Sequence, residues 1–119
     1  MEIKHFKGGG VREANTHKLP YKYMSTIALK RLAGRYLYGQ LKYGASDNYK
    51  KGLPISDCWD SAMRHLVEYM EGDNSEDHLA AVAWNCFAMM EIEEKRPEFQ
   101  DIEARKGIRK KNYLKGDIK

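Results

Sequence analysis

Apolar residues recur at three- and four-residue intervals in three stretches of the chain, and each recurrence has a helical period. In the first, Leu29, Leu32, Ala33, Tyr36, Leu37 and Leu41 make one stripe and predict a helix over about 26–43. Ser25 or Thr26 can cap its start and Gly44 its end, and Lys30, Arg31 and Arg35 are expected to face away. Gly34 and Gly39 cost such a helix about 1 kcal/mol each relative to alanine, so they point to close approach by another backbone. The second stripe, Trp59, Ala62, Met63, Leu66, Val67 and Met70, predicts a helix over about 56–71 with Ser56 as N-cap. Its other side carries Asp60, Arg64 and Glu68 at four-residue spacing, with His65 and Glu71 nearby. The third helix, over about 75–94, is capped by Asn74 or Ser75 and is apolar almost all round, so it is expected to be buried on every side. Asn85 in its middle then needs hydrogen-bond partners.

These elements predict an all-α fold, a small helical bundle centred on an antiparallel hairpin of the second and third helices. Folding back across the turn from Gly72 to Ser75 brings Asn85 to the level of Asp60 to Arg64, and His78 to that of Glu68. The polar side of the second helix would then look inward. Two readings stay open for it. One is an internal network of Asp60, Arg64 and Asn85 that sets helix register. The other is a site in which carboxylates hold Mg²⁺ or Mn²⁺, which suit hard oxygen ligands, while Arg64 or a loop lysine binds phosphate. The loop between the first two helices, KYGASDNYKKGLP, mixes aromatic and cationic residues that can stack on a base and meet a phosphate, although a solvated loop has the same composition.

Outside the helical core of residues 25–96, residues 1–24 read as an irregular arm and 97–119 as a short helix followed by a basic tail. The triplet Gly8 to Gly10 has neither the preceding strand nor the following helix of a phosphate loop and reads as flexible terminus. At 119 residues the chain is one domain with a modest core, which leaves room for partner subunits and a homo-oligomer. The net charge of +4 is set by 21 basic against 17 acidic residues, a balance that does not single out nucleic acid as a partner. Cys58 and Cys86 match no zinc or disulfide spacing, and no apolar run reaches the roughly 18 residues of a membrane span. A cytoplasmic setting with no membrane partner is expected.

The pattern KYG, N, KG, DSAxRHL, G and EDHLAAVAWN, within residues 11 to about 94, resembles the phage and bacterial family of dATP/dGTP diphosphohydrolase N-terminal domains. That family is similar to the all-α MazG-like pyrophosphohydrolases, helical oligomers that split nucleoside triphosphates into monophosphate and pyrophosphate with metal-bound carboxylates. The resemblance implies metal-dependent hydrolysis of a purine deoxynucleoside triphosphate. Asp60 and Asp77, assisted by Glu68 or Glu71, would hold the cation; Lys42, Lys51 and Arg64 would bind phosphates. Tyr43 and Asn48 would contact base or sugar, Asn85 would belong to the nucleotide site, and His65 or His78 would transfer protons beside Asp60. The chain departs from the family pattern at Tyr49, where tryptophan is frequent, at Gly34, where an acid is frequent, and at His17 to Lys22. The MazG acidic signature is half-matched by Glu68 with Glu71 and by Glu91 with Glu94. A non-catalytic phage protein that sequesters a nucleotide or nucleotide signal is the alternative, and a purely structural helical assembly is a third reading.

Overall fold

Ser25 begins the first helix as its position predicts: its hydroxyl accepts a hydrogen bond from the Ala28 N–H at 3.1 Å, and α1 runs Thr26–Tyr43 until Gly44 turns left-handed at φ +80°. This computed structural model describes residues 3–13, 18–108 and 111–117. Thr16 and His17 of the arm, and Arg109, Lys110, Ile118 and Lys119 of the basic tail, lie outside the described residues. The remaining helices are α2, Ile55–Met70, and α3, His78–Lys95, with the loop residues Asn48–Lys51 forming a short 3-10 turn.

The chain divides into two compact units, residues 25–108 and residues 1–24 with 109–119. In the smaller, β1 (Ile3–His5) and β2 (Val11–Glu13) pair antiparallel, Lys4 opposite Arg12. Part of the arm expected to be irregular is thus a hairpin. The glycine triplet turns it, with the Phe6 N–H donating to the Gly10 carbonyl and the Gly9 N–H to that of Phe6, both at 2.9 Å.

In the larger unit α2 and α3 form the expected hairpin, but the faces they bury differ from the stripes that periodicity picked out. The side chains these two helices bury are mostly small, Cys58 and Ala62 on α2 and Ala80, Ala81 and Ala88 on α3, and Cys58 and Ala88 cluster with Ile55 and Ile92. Small residues let two helix backbones approach closely, and that seam excludes the larger stripe. Trp59, Met63, Leu66, Val67 and Met70 are exposed, and so are Leu79, Cys86, Phe87 and Met90 of the helix expected to be buried all round. On α1 only Leu32 is buried, with Tyr36 half-buried; Leu29, Leu37 and Leu41 are exposed. A Cβ at Gly34 or Gly39 would meet nothing within 4 Å, so the close approach expected at these glycines is absent among the described residues.

The helix starts also shift. α2 starts after Pro54, because the Ser56 N–H donates to Asp101 at 2.8 Å and its hydroxyl to the same carboxylate, leaving neither free to cap. α3 starts after Asp77, whose carboxylate accepts from the Ala80 N–H at 3.2 Å; Ser75 is occupied upstream by Asp73. The segment expected to form a short helix makes separate 3-10 turns at Pro97–Phe99 and Glu103–Arg105, and Phe99 and Ile102 pack on the Ile55, Cys58, Ala88 and Ile92 cluster.

Candidate functional site

The hairpin brings the expected polar levels together. The Asn85 Nδ2 donates to the Ala81 carbonyl at 2.9 Å and to the Ser61 hydroxyl at 3.3 Å, so its buried amide is partnered one turn from Arg64. One level nearer the turn, His78 Nδ1 lies 2.8 Å from His65 Nδ1 and 3.4 Å from a Glu68 oxygen. His78 is buried, and its Nε2 bonds the Asp73 carboxylate at 2.5 Å. Asp73 accepts also from the Ser75 hydroxyl at 2.7 Å, and these donors, the hydroxyl foremost, hold its carboxyl below the usual range. Since a carboxylate only accepts, His78 donates from Nε2, and its Nδ1 faces His65 and Glu68.

A second carboxylate reaches the same place. One ligand atom each from His65, Glu68, Glu76 and His78 lies within 4.8 Å of the other three, the one such convergence of three or more His, Cys, Asp or Glu among the described residues. Glu76 is fixed by Arg35, whose Nη1 donates to it at 2.9 Å and holds its carboxyl below its ordinary value. Arg35 in turn lies 4.3 Å over the Tyr38 ring and is only 18% exposed, so its guanidinium is fixed between ring and carboxylate. Burial pushes the His65 imidazole below its ordinary value.

His65, Glu76 and Arg35 also line a cleft of about 570 Å³ that opens between α1, the following loop and the hairpin. One wall is aromatic: Tyr36, Tyr49 and Trp84 stand with ring centroids 5.7–6.3 Å apart. Lys42, Tyr43, Asn48, Arg64 and Asn85 complete it. A hydrogen bond to Tyr43 raises the Lys42 ammonium above its ordinary pKa, so the cation is secure at neutral pH.

The family model of the dATP/dGTP diphosphohydrolase N-terminal domain matches residues 9–102, which include the whole cleft and the four-residue cluster. The chain belongs to this family. No curated protein and no solved structure matches it. The description of the family supports nucleotide hydrolysis as the class of activity, at the level of a domain.

Of the residues that the family pattern singled out, Lys42, Tyr43, Asn48, Arg64, His65 and Asn85 line the cleft, and Lys51 does not. Of the four carboxylates expected to share a cation, the structure brings Glu68 alone to the cluster. Asp60 is exposed and paired with Arg64 one turn along α2. Glu71 is the exposed C-cap of α2, and Asp77 caps α3 while receiving both arms of the Arg31 guanidinium at 2.6 and 2.8 Å. His78 is buried and makes contacts at both ring nitrogens, to His65 and to Asp73. The half-match at Glu91 and Glu94 lies thirteen or more residues beyond His78 on α3, about 20 Å along the axis.

Glu76, Asp73, Arg35 and the wall of Tyr36, Tyr49 and Trp84 are the members that sequence reasoning missed. A signal for two of them was present. Arg31 and Arg35 are one helical turn apart and so share a face, and they meet the adjacent acids Asp77 and Glu76.

Proposed function

We propose that this domain binds a purine deoxynucleoside triphosphate in the cleft and hydrolyses it, with a divalent cation, to the monophosphate and pyrophosphate. One observation carries the reading: a single cleft places an aromatic wall and three cations beside two members of a His and Glu cluster. A purine stacks on the wall of Tyr36, Tyr49 and Trp84, and Asn48 and Tyr43 lie along the same cleft to meet base or sugar. Arg35, Lys42 and Arg64 are the phosphate ligands, with Arg35 replacing Lys51 in that role.

The donors present fit a divalent cation: two imidazoles and two carboxylates converge, and Asp73 orients one imidazole. His65, Glu68, Glu76 and His78 would hold it, in place of Asp60, Glu71 and Asp77. A cation there supplies Lewis acidity toward the phosphate oxygens. The overall step adds the oxygen of water to the α-phosphorus and breaks the bond from that phosphorus to the oxygen bridging to the β-phosphorus; pyrophosphate leaves and the water's proton goes to solvent. The residues of the chain bind and orient the triphosphate, and the buried hairpin keeps the donors in register. His65 serves here as a metal-facing donor rather than a proton carrier. The apolar surface that α2 leaves uncovered supports the expected association of copies.

The test is incubation with dATP, dGTP and the corresponding ribonucleotides plus Mn²⁺ or Mg²⁺, with chromatographic resolution of products. Monophosphate and pyrophosphate are expected from the purine deoxynucleotides. Loss of one charged hydrogen bond in Arg35→Ala, about 1.5–3 kcal/mol, should raise KM about 10- to 100-fold. Nucleotide bound but recovered intact would replace hydrolysis with sequestration, and absence of binding would end both readings.

A further inference from the structure

The four converging side chains have a composition that discriminates between metals. His65 and Glu68 are three residues apart on α2 and so share a face, while Glu76 and His78 come from the turn and first residue of α3. Two of the four donors are therefore imidazoles, and the site draws on both arms of the hairpin. Ligands bound at about 2.1 Å on opposite sides of an ion are about 4.2 Å apart. The observed 4.8 Å limit lies within a small side-chain adjustment of that sphere. Mg²⁺ is reluctant to dehydrate and takes near-octahedral oxygen surroundings, whereas imidazole suits borderline transition metals and carboxylate accepts Mn²⁺ as well.

Asp73 is the second observation. It takes no place in the cluster, yet it bonds the Nε2 of His78 at 2.5 Å and is itself held by Ser75. A carboxylate behind a buried imidazole is the arrangement that fixes the tautomer and orientation of a ligating histidine. Here it directs the Nδ1 of a side chain that is 1% exposed toward His65 and Glu68.

We infer that His65, Glu68, Glu76 and His78 form a centre selective for a borderline divalent transition metal such as Fe²⁺, Co²⁺ or Zn²⁺ over Mg²⁺, with Asp73 as its positioning residue. The inference rests on the hydrolytic reading for the metal's role, and on the donor set alone for its class. It departs from the all-carboxylate chemistry that the MazG resemblance implies.

The test is calorimetric titration of the chelator-treated full chain with CoCl₂, ZnCl₂ and MgCl₂, without nucleotide. One ion per chain is expected for the transition metals, with Mg²⁺ at least about tenfold weaker. Asp73→Asn should weaken Co²⁺ about 10- to 100-fold, as loss of an outer-shell partner does. His65→Gln should weaken it further and alter the visible absorption of bound Co²⁺. Glu68→Gln provides a substitution at a side chain that is 46% exposed, where folding is not at stake. Mg²⁺ binding as tightly as Co²⁺, or Co²⁺ binding unchanged in His65→Gln and Glu68→Gln, would overturn the centre. Stoichiometric metal binding with no nucleotide turnover would leave the centre standing and remove the hydrolytic reading. Turnover with Mg²⁺ that is indifferent to His65→Gln would do the reverse.

Discussion

Gly52 closes the 3-10 turn that presents Asn48 and Tyr49 to the cleft, and Gly52→Ala should destabilise the larger unit by two separable routes. Its backbone sits at φ +103°, ψ 131°, a region that L-residues rarely enter, at a cost of about 1–3 kcal/mol. A Cβ there would also overlap three carbons of the Phe99 ring. That ring is packed against the cluster of Ile55, Cys58, Ala88 and Ile92, so it can yield only by disturbing the core, at about another 1–3 kcal/mol. The sum, about 2–6 kcal/mol, is a large part of the 5–15 kcal/mol typical of a domain. Gly72→Ala is the internal control, since Gly72 has φ +84° but open space around its Cβ direction and should show only the backbone cost. Urea unfolding followed by far-UV circular dichroism gives both values. If Gly52→Ala falls within about 0.5 kcal/mol of Gly72→Ala, the Phe99 contact does not constrain the turn and the reasoning fails.

Two further outcomes follow from buried polar groups. Asn85→Ala removes the amide that partners Ser61 within the hairpin and should cost about 1–3 kcal/mol in the same unfolding assay; an unchanged midpoint would mean that solvent satisfies the site. Burial, followed by the neighbouring Tyr49, pushes the Tyr36 phenol from 10.0 up to about 12. The unfolded chain then loses this proton first, so the stabilisation is complete below about pH 10 and disappears as pH rises toward about 12. Urea midpoints should fall across that window less steeply in Tyr36→Phe than in the parent, and equal slopes would exclude Tyr36 as the cause.

The helices were legible because their signals are local. Ser25, Gly44 and a 3.6-residue period bound α1, and a short turn between two apolar stretches is enough to set Asn85 beside the middle of α2 and His78 beside Glu68. What was misread depends on partners far along the chain. Ser56 has the chemistry of an N-cap, but Asp101 occupies it from 45 residues away. Large apolar side chains mark a stripe more strongly than cysteine and alanine do, yet the small seam of Cys58, Ala62, Ala81 and Ala88 is the one that packs. In the site, the family resemblance brought Asp60 and Asp77 forward. The structure pairs Asp60 with Arg64 one turn along the same helix and Asp77 with Arg31 from 46 residues away, and leaves Glu68 and Glu76 beside the histidines. Charge on a helix can be read from spacing; which charge is already neutralised by a distant element cannot.

Arg31 and Arg35 tie α1 to the turn before α3 through Asp77 and Glu76, while Leu32 is the only side chain that α1 buries. Ties of this kind respond to ionic strength, since mobile ions screen exposed charges over about 10 Å at 0.1 M salt. The helix they tether also supplies Arg35, Tyr36 and Lys42 to the cleft. Under the proposed reading of the cleft, added salt therefore acts on nucleotide affinity twice, once by competing for the cations and once by slackening the wall on which they are mounted. A log–log plot of affinity against salt would consequently be steeper than the number of phosphate contacts alone requires.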